Sequence, residues 1–142
     1  MPERTGSPVD GDHVFPVRVY YEDTDAAGIV YHASYLRFAE RARTEMVRAT
    51  GMEQGRVLAE TGLAFAVRRM EIDYRAPARL DDLLDVATRL TEIGGASLRV
   101  EQTIRRAGTV LVRLFVKLGC IDRAGRAVRL PPAIRAALQH IA

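Results

Sequence analysis

Hydrophobic positions along the chain fall into two periods. Between Tyr35 and Thr50, the residues Tyr35, Phe38, Ala39, Ala42, Met46 and Ala49 recur at spacings of three and four, which predicts an amphipathic helix. Its other face carries Arg37, Glu40, Arg41, Arg43, Glu45 and Arg48. Glu40 with Arg43 and Arg41 with Glu45 stand at helix-neighbour spacing. Ser34 is the expected N-cap, and Gly51 ends the helix. Glu53 to Thr61 reads as a second, shorter helix closed by Gly62. From Leu63 the period changes to two. Leu63, Phe65 and Val67 share one phase, and Met70, Ile72 and Tyr74 share the other. The slip across Arg68-Arg69 predicts a β-bulge or bend.

Pro77 interrupts this run, and Leu84, Val86, Thr88 and Leu90 then alternate. Gly94-Gly95 signals a hairpin. Leu98, Val100 and Ile104 alternate with Arg99, Glu101, Thr103 and Arg105, which predicts a strand with one solvated face. Ala107-Gly108 marks a second hairpin. Val110 to Ile121 is apolar on nearly both faces and reads as a central strand. A turn at Asp122 to Gly125 and a short helix after Pro131-Pro132 complete the chain. Ahead of the long helix, Val14 to Tyr21 is β-rich, with Pro16 blurring its alternation, and Asp23 to His32 is a loop.

The order strand, long helix, short helix and then about four strands predicts an α+β fold. In its simplest packing, an antiparallel sheet wraps around the one long helix. A chain of 142 residues suits a single domain. We expect residues 14–142 to form it and residues 1–13, which are polar, to be a flexible N-terminus. No apolar run approaches the ~20 residues of a membrane span, and Met1 to His13 lacks the apolar segment of a signal peptide, so a cytoplasmic location is expected. The single cysteine, Cys120, excludes an internal disulfide and reads as a buried structural thiol. The net charge of +3 comes from arginines dispersed among acids, with Lys117 the sole lysine. That pattern argues against a nucleic-acid arm and suits a small phosphorylated ligand.

Reactive side chains concentrate between Tyr20 and Tyr35, where a strand hands over to a helix N-terminus. Backbone N–H groups at such a terminus are available to negative charge. Asp25, in a loop made tight by Gly28, could serve as a nucleophile or as a general base on water; equally, an aspartate there could only cap the loop. His32 could orient water or contact a carbonyl, or be a hydrogen-bonded structural residue. Glu22 and Asp23 rival Asp25, and strand alternation would turn one of them to solvent. Tyr20 and Tyr21 should likewise face opposite ways. His13 and His140 receive no role. No histidine pair stands at metal-ligand spacing, so neither a metal nor a cofactor is expected. The absence of G-x-S-x-G, P-loop and Rossmann glycine patterns disfavours serine hydrolase and nucleotide chemistry.

The run Val17-Arg18-Val19-Tyr20-Tyr21-Glu22-Asp23-Thr24-Asp25-Ala26-Ala27-Gly28-Ile29-Val30-Tyr31-His32-Ala33-Ser34-Tyr35, followed by Glu40-Arg41-Ala42-Arg43-Thr44-Glu45, resembles the hotdog-fold acyl-CoA thioesterases. It is most similar to their YbgC-type branch, encoded with the Tol–Pal envelope genes and related to 4-hydroxybenzoyl-CoA thioesterase. The resemblance covers about residues 14 to 140. It implies a hotdog fold, with a curved antiparallel sheet around a central helix. It also implies homodimers or homotetramers with active sites between protomers, and hydrolysis of an acyl-CoA, or of a carrier-protein thioester, to the free acid. Asp25 matches the family's catalytic aspartate. His32 matches the helix-start residue whose backbone N–H polarises the thioester carbonyl, and Tyr21 matches a tyrosine associated with the site. Ala27 departs from the pattern, standing where close relatives often have glycine. Arg68, Arg69, Arg75, Arg79 and Lys117 are candidates by charge for the phosphates of coenzyme A. Two other functions fit the resemblance: a hotdog dehydratase, which would need Glu40 in the site, and a non-catalytic acyl-thioester-binding or envelope-associated protein.

Overall fold

The computed structural model describes residues 11–142. Five strands form one antiparallel sheet: β1 (His13–Arg18), β2 (Ala64–Tyr74), β3 (Leu83–Ile93), β4 (Ser97–Arg106) and β5 (Thr109–Ile121), in the order β1-β3-β4-β5-β2. Three helices accompany it: α1 (Ser34–Arg48), α2 (Gln54–Thr61) and α3 (Pro132–Gln139). This is the α+β hotdog arrangement, with α1 as its filling. Of the expected flexible stretch, residues 1–10 lie outside the described residues, and β1 already includes His13.

Helix α1 seats on the sheet through Phe38, Ala39 and Ala42, all fully buried. They meet the core face of the strands, where Leu84, Val86, Val100, Leu114 and Val116 are buried too. Burying one such Leu or Phe contributes roughly 1.5–3 kcal/mol. The two alanines let the helix backbone come close enough for a polar contact through the core. Gln102, 1 % exposed, donates from Nε2 to the Ala39 carbonyl and to Thr88 Oγ, and accepts from Arg43. These directional bonds fix the rotation and height of α1 in a way that apolar packing alone would not.

Arg43 therefore departs from the expected solvated face: it is 7 % exposed and points at Gln102. Burial pulls its guanidinium below its ordinary value, with Glu40 opposing the shift. The expected Arg41–Glu45 pair is replaced by Arg48–Glu45 at 3.2 Å. The bulge falls where the phase slip placed it, between Val67 and Arg69. Gly119 leaves room for it, since a Cβ there would stand 2.7 Å from Arg68 Cδ. A second irregularity, between Ile104 and Arg105, turns Arg105 inward against expectation, to 2 % exposed and 2.8 Å from Asp85. The Ala107-Gly108 turn takes both residues to positive φ, 49° and 85°, as a tight hairpin requires.

Candidate active site

The expected strand through Tyr21 is shorter than the sequence suggests. β1 stops at Arg18, and Tyr21–Asp23 form one turn of 3-10 helix. The reason is Asp23. Its carboxylate accepts from Tyr20 N–H at 2.8 Å and from Arg37 at 3.1 Å. Its carbonyl accepts from Tyr31 N–H at 2.9 Å and from Ser34 Oγ at 3.0 Å. One buried aspartate thus satisfies four donors and ties the start of the loop to the start of α1. Strand alternation does not decide between Glu22 and Asp23, because neither lies in a strand. Glu22 is exposed and Asp23 is buried.

The same contact corrects the role of Ser34. It is not the N-cap but the first residue of α1, and its hydroxyl is spent on the Asp23 carbonyl. Ala33 occupies the cap position, and no side chain caps the helix. The N–H groups of His32 and Ala33, just ahead of the first turn, also donate no hydrogen bond among the described residues. Unspent donors at a helix start carry the positive end of its dipole.

Between these anchors the chain makes a narrow loop. Thr24 bridges Val30, Asp25 N–H donates to the Ile29 carbonyl at 2.9 Å, and Gly28 N–H donates to the Asp25 carbonyl at 3.1 Å. Gly28 adopts φ 80°, a conformation that costs a side-chain-bearing residue more. Ala27, the departure from the family pattern, is not at a positive φ and its N–H makes the contact that orients the aspartate. It donates to Asp25 Oδ1 at 2.8 Å, an Asx turn that occupies one carboxylate oxygen. Asp25 is otherwise exposed.

His32 closes the loop and is exposed, its ring 4.5 Å from that of Tyr31 and edge-on to Tyr74 at 6.3 Å. Tyr74, at the end of β2, donates from its hydroxyl to the His32 carbonyl at 3.1 Å. The buried Tyr35 ring lies 5.8 Å from that of Tyr74 and edge-on to Phe38 at 6.1 Å, and its hydroxyl accepts from Ala78 N–H at 2.9 Å. Burial raises the phenols of Tyr35 and Tyr74 above their ordinary range, so both stay protonated at neutral pH. By sequence Tyr35 closes the Tyr20–Tyr35 stretch and opens the helix face, while Tyr74 shares only a strand phase, with nothing linking it to the loop. The only signal was two tyrosines at the ends of elements flanking it. Tyr21 lies in the 3-10 turn, 82 % exposed, and its carbonyl accepts from Thr24 Oγ at 2.7 Å.

The basic candidates separate clearly. Arg69 and Lys117 face each other across β2 and β5, Arg68 lies over Gly119, and Arg75 pairs with Asp73 at 2.8 Å. Arg79 alone touches the loop, its backbone bridging Ile29. Close by, Asp82 is clamped. Burial works against its charge, but hydrogen bonds from the Arg106 side chain at 2.7 Å and from Arg79 N–H outweigh it, holding the carboxyl below its usual range. Among the described residues no group of three or more His, Cys, Asp or Glu side chains could hold a metal ion, and no helix is long and apolar enough to cross a membrane.

Comparison with known proteins supplies the family. Residues 19–138 match the profile of the thioesterase-like superfamily. The chain is 46 % identical over 134 residues to the acyl-CoA thioesterase YbgC of Haemophilus influenzae, covering 94 % of this chain and 98 % of that one. It is 52 % identical over 109 residues to the acyl-CoA thioester hydrolase YbgC of Escherichia coli, covering 76 % and 81 %. Among solved structures, a probable thioesterase from Bartonella henselae superposes with a TM-score of 0.82 at 41 % identity, over 84 % of this chain and 99 % of that one. With its fold, its loop and these relatives in agreement, the chain belongs to the thioesterase-like superfamily, as a thioester hydrolase of the YbgC type.

Proposed function

We propose that the chain hydrolyses acyl-CoA thioesters to the free acid and coenzyme A, with Asp25 as the reacting carboxylate. The observation that carries this is the division of labour on one side chain. Asp25 Oδ1 is held by Ala27 N–H, which fixes the carboxylate and leaves its second oxygen for chemistry. That oxygen attacks the thioester carbon or takes a proton from a water that does so. Negative charge then develops on the carbonyl oxygen, and the N–H of His32, at the uncapped start of α1, is the donor for it. A donor of this kind contributes about 3–4 kcal/mol to transition-state stabilisation. The thiolate of coenzyme A leaves and takes up a proton. The His32 ring, held among Tyr31 and Tyr74, and the exposed Tyr21 ring border the thioester. Arg79, whose backbone bridges Ile29 in the loop, is the basic candidate for the phosphates of coenzyme A.

One protomer leaves this site open. Tyr21, Tyr31, Leu36 and Tyr74 surround the loop, each more than a third exposed, and exposed apolar groups gathered around a site mark a surface that something covers. We infer a second copy of the chain, in a homodimer or a dimer of dimers. Mass measurement in solution tests this.

Turnover of a panel of acyl-CoAs with coenzyme A release as readout tests the reaction. Asp25→Asn should lower release by about a hundredfold or more, and Glu40→Gln, two helical turns away on an exposed face, should leave it intact; full activity in Asp25→Asn sinks the assignment. A single turnover in 18O-water separates the two routes, because label found in the Asp25 side chain identifies direct attack.

A further inference from the structure

Among the described residues, charges that stand directly opposite across neighbouring strands are of opposite sign in most places: Asp73 with Arg113, Asp85 with Arg105, Arg89 with Glu101 and Glu92 with Arg99. Lys117 of β5 breaks the rule. It stands opposite Arg69 of β2 on one side and opposite Arg99 of β4 on the other, so three cations lie in one row across three strands. Adjacent strands are ~4.8 Å apart, which holds the row within ~10 Å. Like charges directly opposite one another destabilise a sheet. Glu92 offsets Arg99 at 3.3 Å. Arg69 and Lys117 make no hydrogen bond or ion pair among the described residues, although Lys117 is half-buried. Arg68, over Gly119, adds a fourth cation one row further on. A local rule broken without compensation inside the chain marks a place where something outside it supplies the missing charge.

A cleft of about 280 Å³ opens on this row. Its other side is the next row of the sheet, where Phe115 stands between Glu71 of β2 and Glu101 of β4. The two rows are two residues apart along each strand, ~7 Å. Phe115 is 41 % exposed. Arg113 covers one face of its ring at 5.5 Å and does not line the cleft, which leaves the other face to it.

This cleft is not the thioester site of its own chain. Met70 and Val116, each one residue away on the same strands, pack into the core beneath α1, so alternation turns Arg69 and Lys117 to the opposite face of the sheet. Tyr74 touches the His32 carbonyl, and Arg69 is five residues back from it, ~17 Å along β2.

We propose that the cleft is a second ligand site and that it binds a nucleoside diphosphate. The phosphates lie on the Arg69–Lys117–Arg99 row, where guanidinium forks and an ammonium match phosphate oxygens. The base stacks on the open face of Phe115, and the ribose between them donates its hydroxyls to Glu71 and Glu101. An acidic protein surface fits less well, because it would meet these two carboxylates as well as the cations. A compact ligand with its charge at one end and a flat ring at the other meets each row with its complement. The same diphosphate group occurs free and within coenzyme A, and the test separates the two sources.

Lys117 is the sole lysine, so an amine-reactive reagent followed by peptide mass measurement reads this row directly on the parent protein. ADP well above its Kd should slow modification of Lys117 about fivefold or more. Pyrophosphate should slow it less, and adenosine should leave it unchanged. Phe115→Ala should reduce protection by ADP to that given by pyrophosphate, with coenzyme A release unchanged, which shows in the same sample that the variant is folded. Arg69→Gln should remove protection by both. Absence of protection by ADP, equal protection by adenosine, or full protection by ADP in Phe115→Ala overturns the proposal. S-methyl-CoA, at the concentration that halves turnover, should not protect Lys117. Protection equal to that by ADP would assign the row to the substrate and overturn the second site. None of these readings depends on the role of Asp25.

Discussion

The two halves of the Tyr20–His32 loop are built from the same residue types and used in opposite ways. In the first half, Asp23 is buried, each oxygen of its carboxylate accepts a hydrogen bond and its carbonyl accepts two. In the second, Asp25 spends one oxygen on Ala27 N–H and exposes the rest. The difference is one of satisfied bonding capacity. A buried carboxylate with both oxygens hydrogen-bonded holds a backbone in place and is shut off from a substrate, while an exposed one held by a single bond is oriented yet available. The first half is therefore what makes the second usable, because it anchors the loop to Arg37 and Ser34 of α1.

The comparison breaks most sharply at Asp25. Asp25→Asn keeps an acceptor for Ala27 N–H, so we expect coenzyme A release to fall by about 10²–10⁴-fold, with thermal stability changed by less than about 0.5 kcal/mol. Asp23→Ala should do the reverse. It strands the Tyr20 N–H and removes an ion pair with Arg37, and should cost about 2–3 kcal/mol in denaturant unfolding, with activity lost only as the loop loosens. If Asp23→Ala abolished activity at unchanged stability, the division between the two aspartates would be wrong.

A smaller effect is expected at Asp82, which braces the segment against the loop. Asp82→Asn should cost about 1 kcal/mol at pH 7. The sign follows from its depressed carboxyl. The stabilisation is present above the unfolded aspartate value of about 3.9 and is lost as pH falls through the lower folded value. Parent and variant unfolding curves should therefore converge in strong acid, separate as pH rises toward about 4 and stay separated above it. The mildest change is Tyr74→Phe, which removes one bond to the His32 carbonyl. A loss of about 0.5–1 kcal/mol in positioning lowers kcat roughly two- to fivefold, with KM little changed.

Much of this molecule was legible in its pattern. The helix of residues 35–50, the slip at Arg68-Arg69 and the glycine turns are set by neighbours a few residues apart, so period and turn chemistry reveal them. Arg43 and Arg105 were misplaced for a different reason. Each is buried by a partner distant in sequence, Gln102 and Asp85, and no local period encodes such a partner. Ser34 shows the same limit within the site. Its type suits a cap, but the Asp23 carbonyl eleven residues earlier takes its hydroxyl.

By itself the sequence determined the order of elements and placed an acidic glycine loop before a helix, because both depend on short-range geometry. It also held the motif that marks the family. Only the tertiary structure decided which aspartate is spent and which is open, since that turns on hydrogen-bond donors brought in from α1.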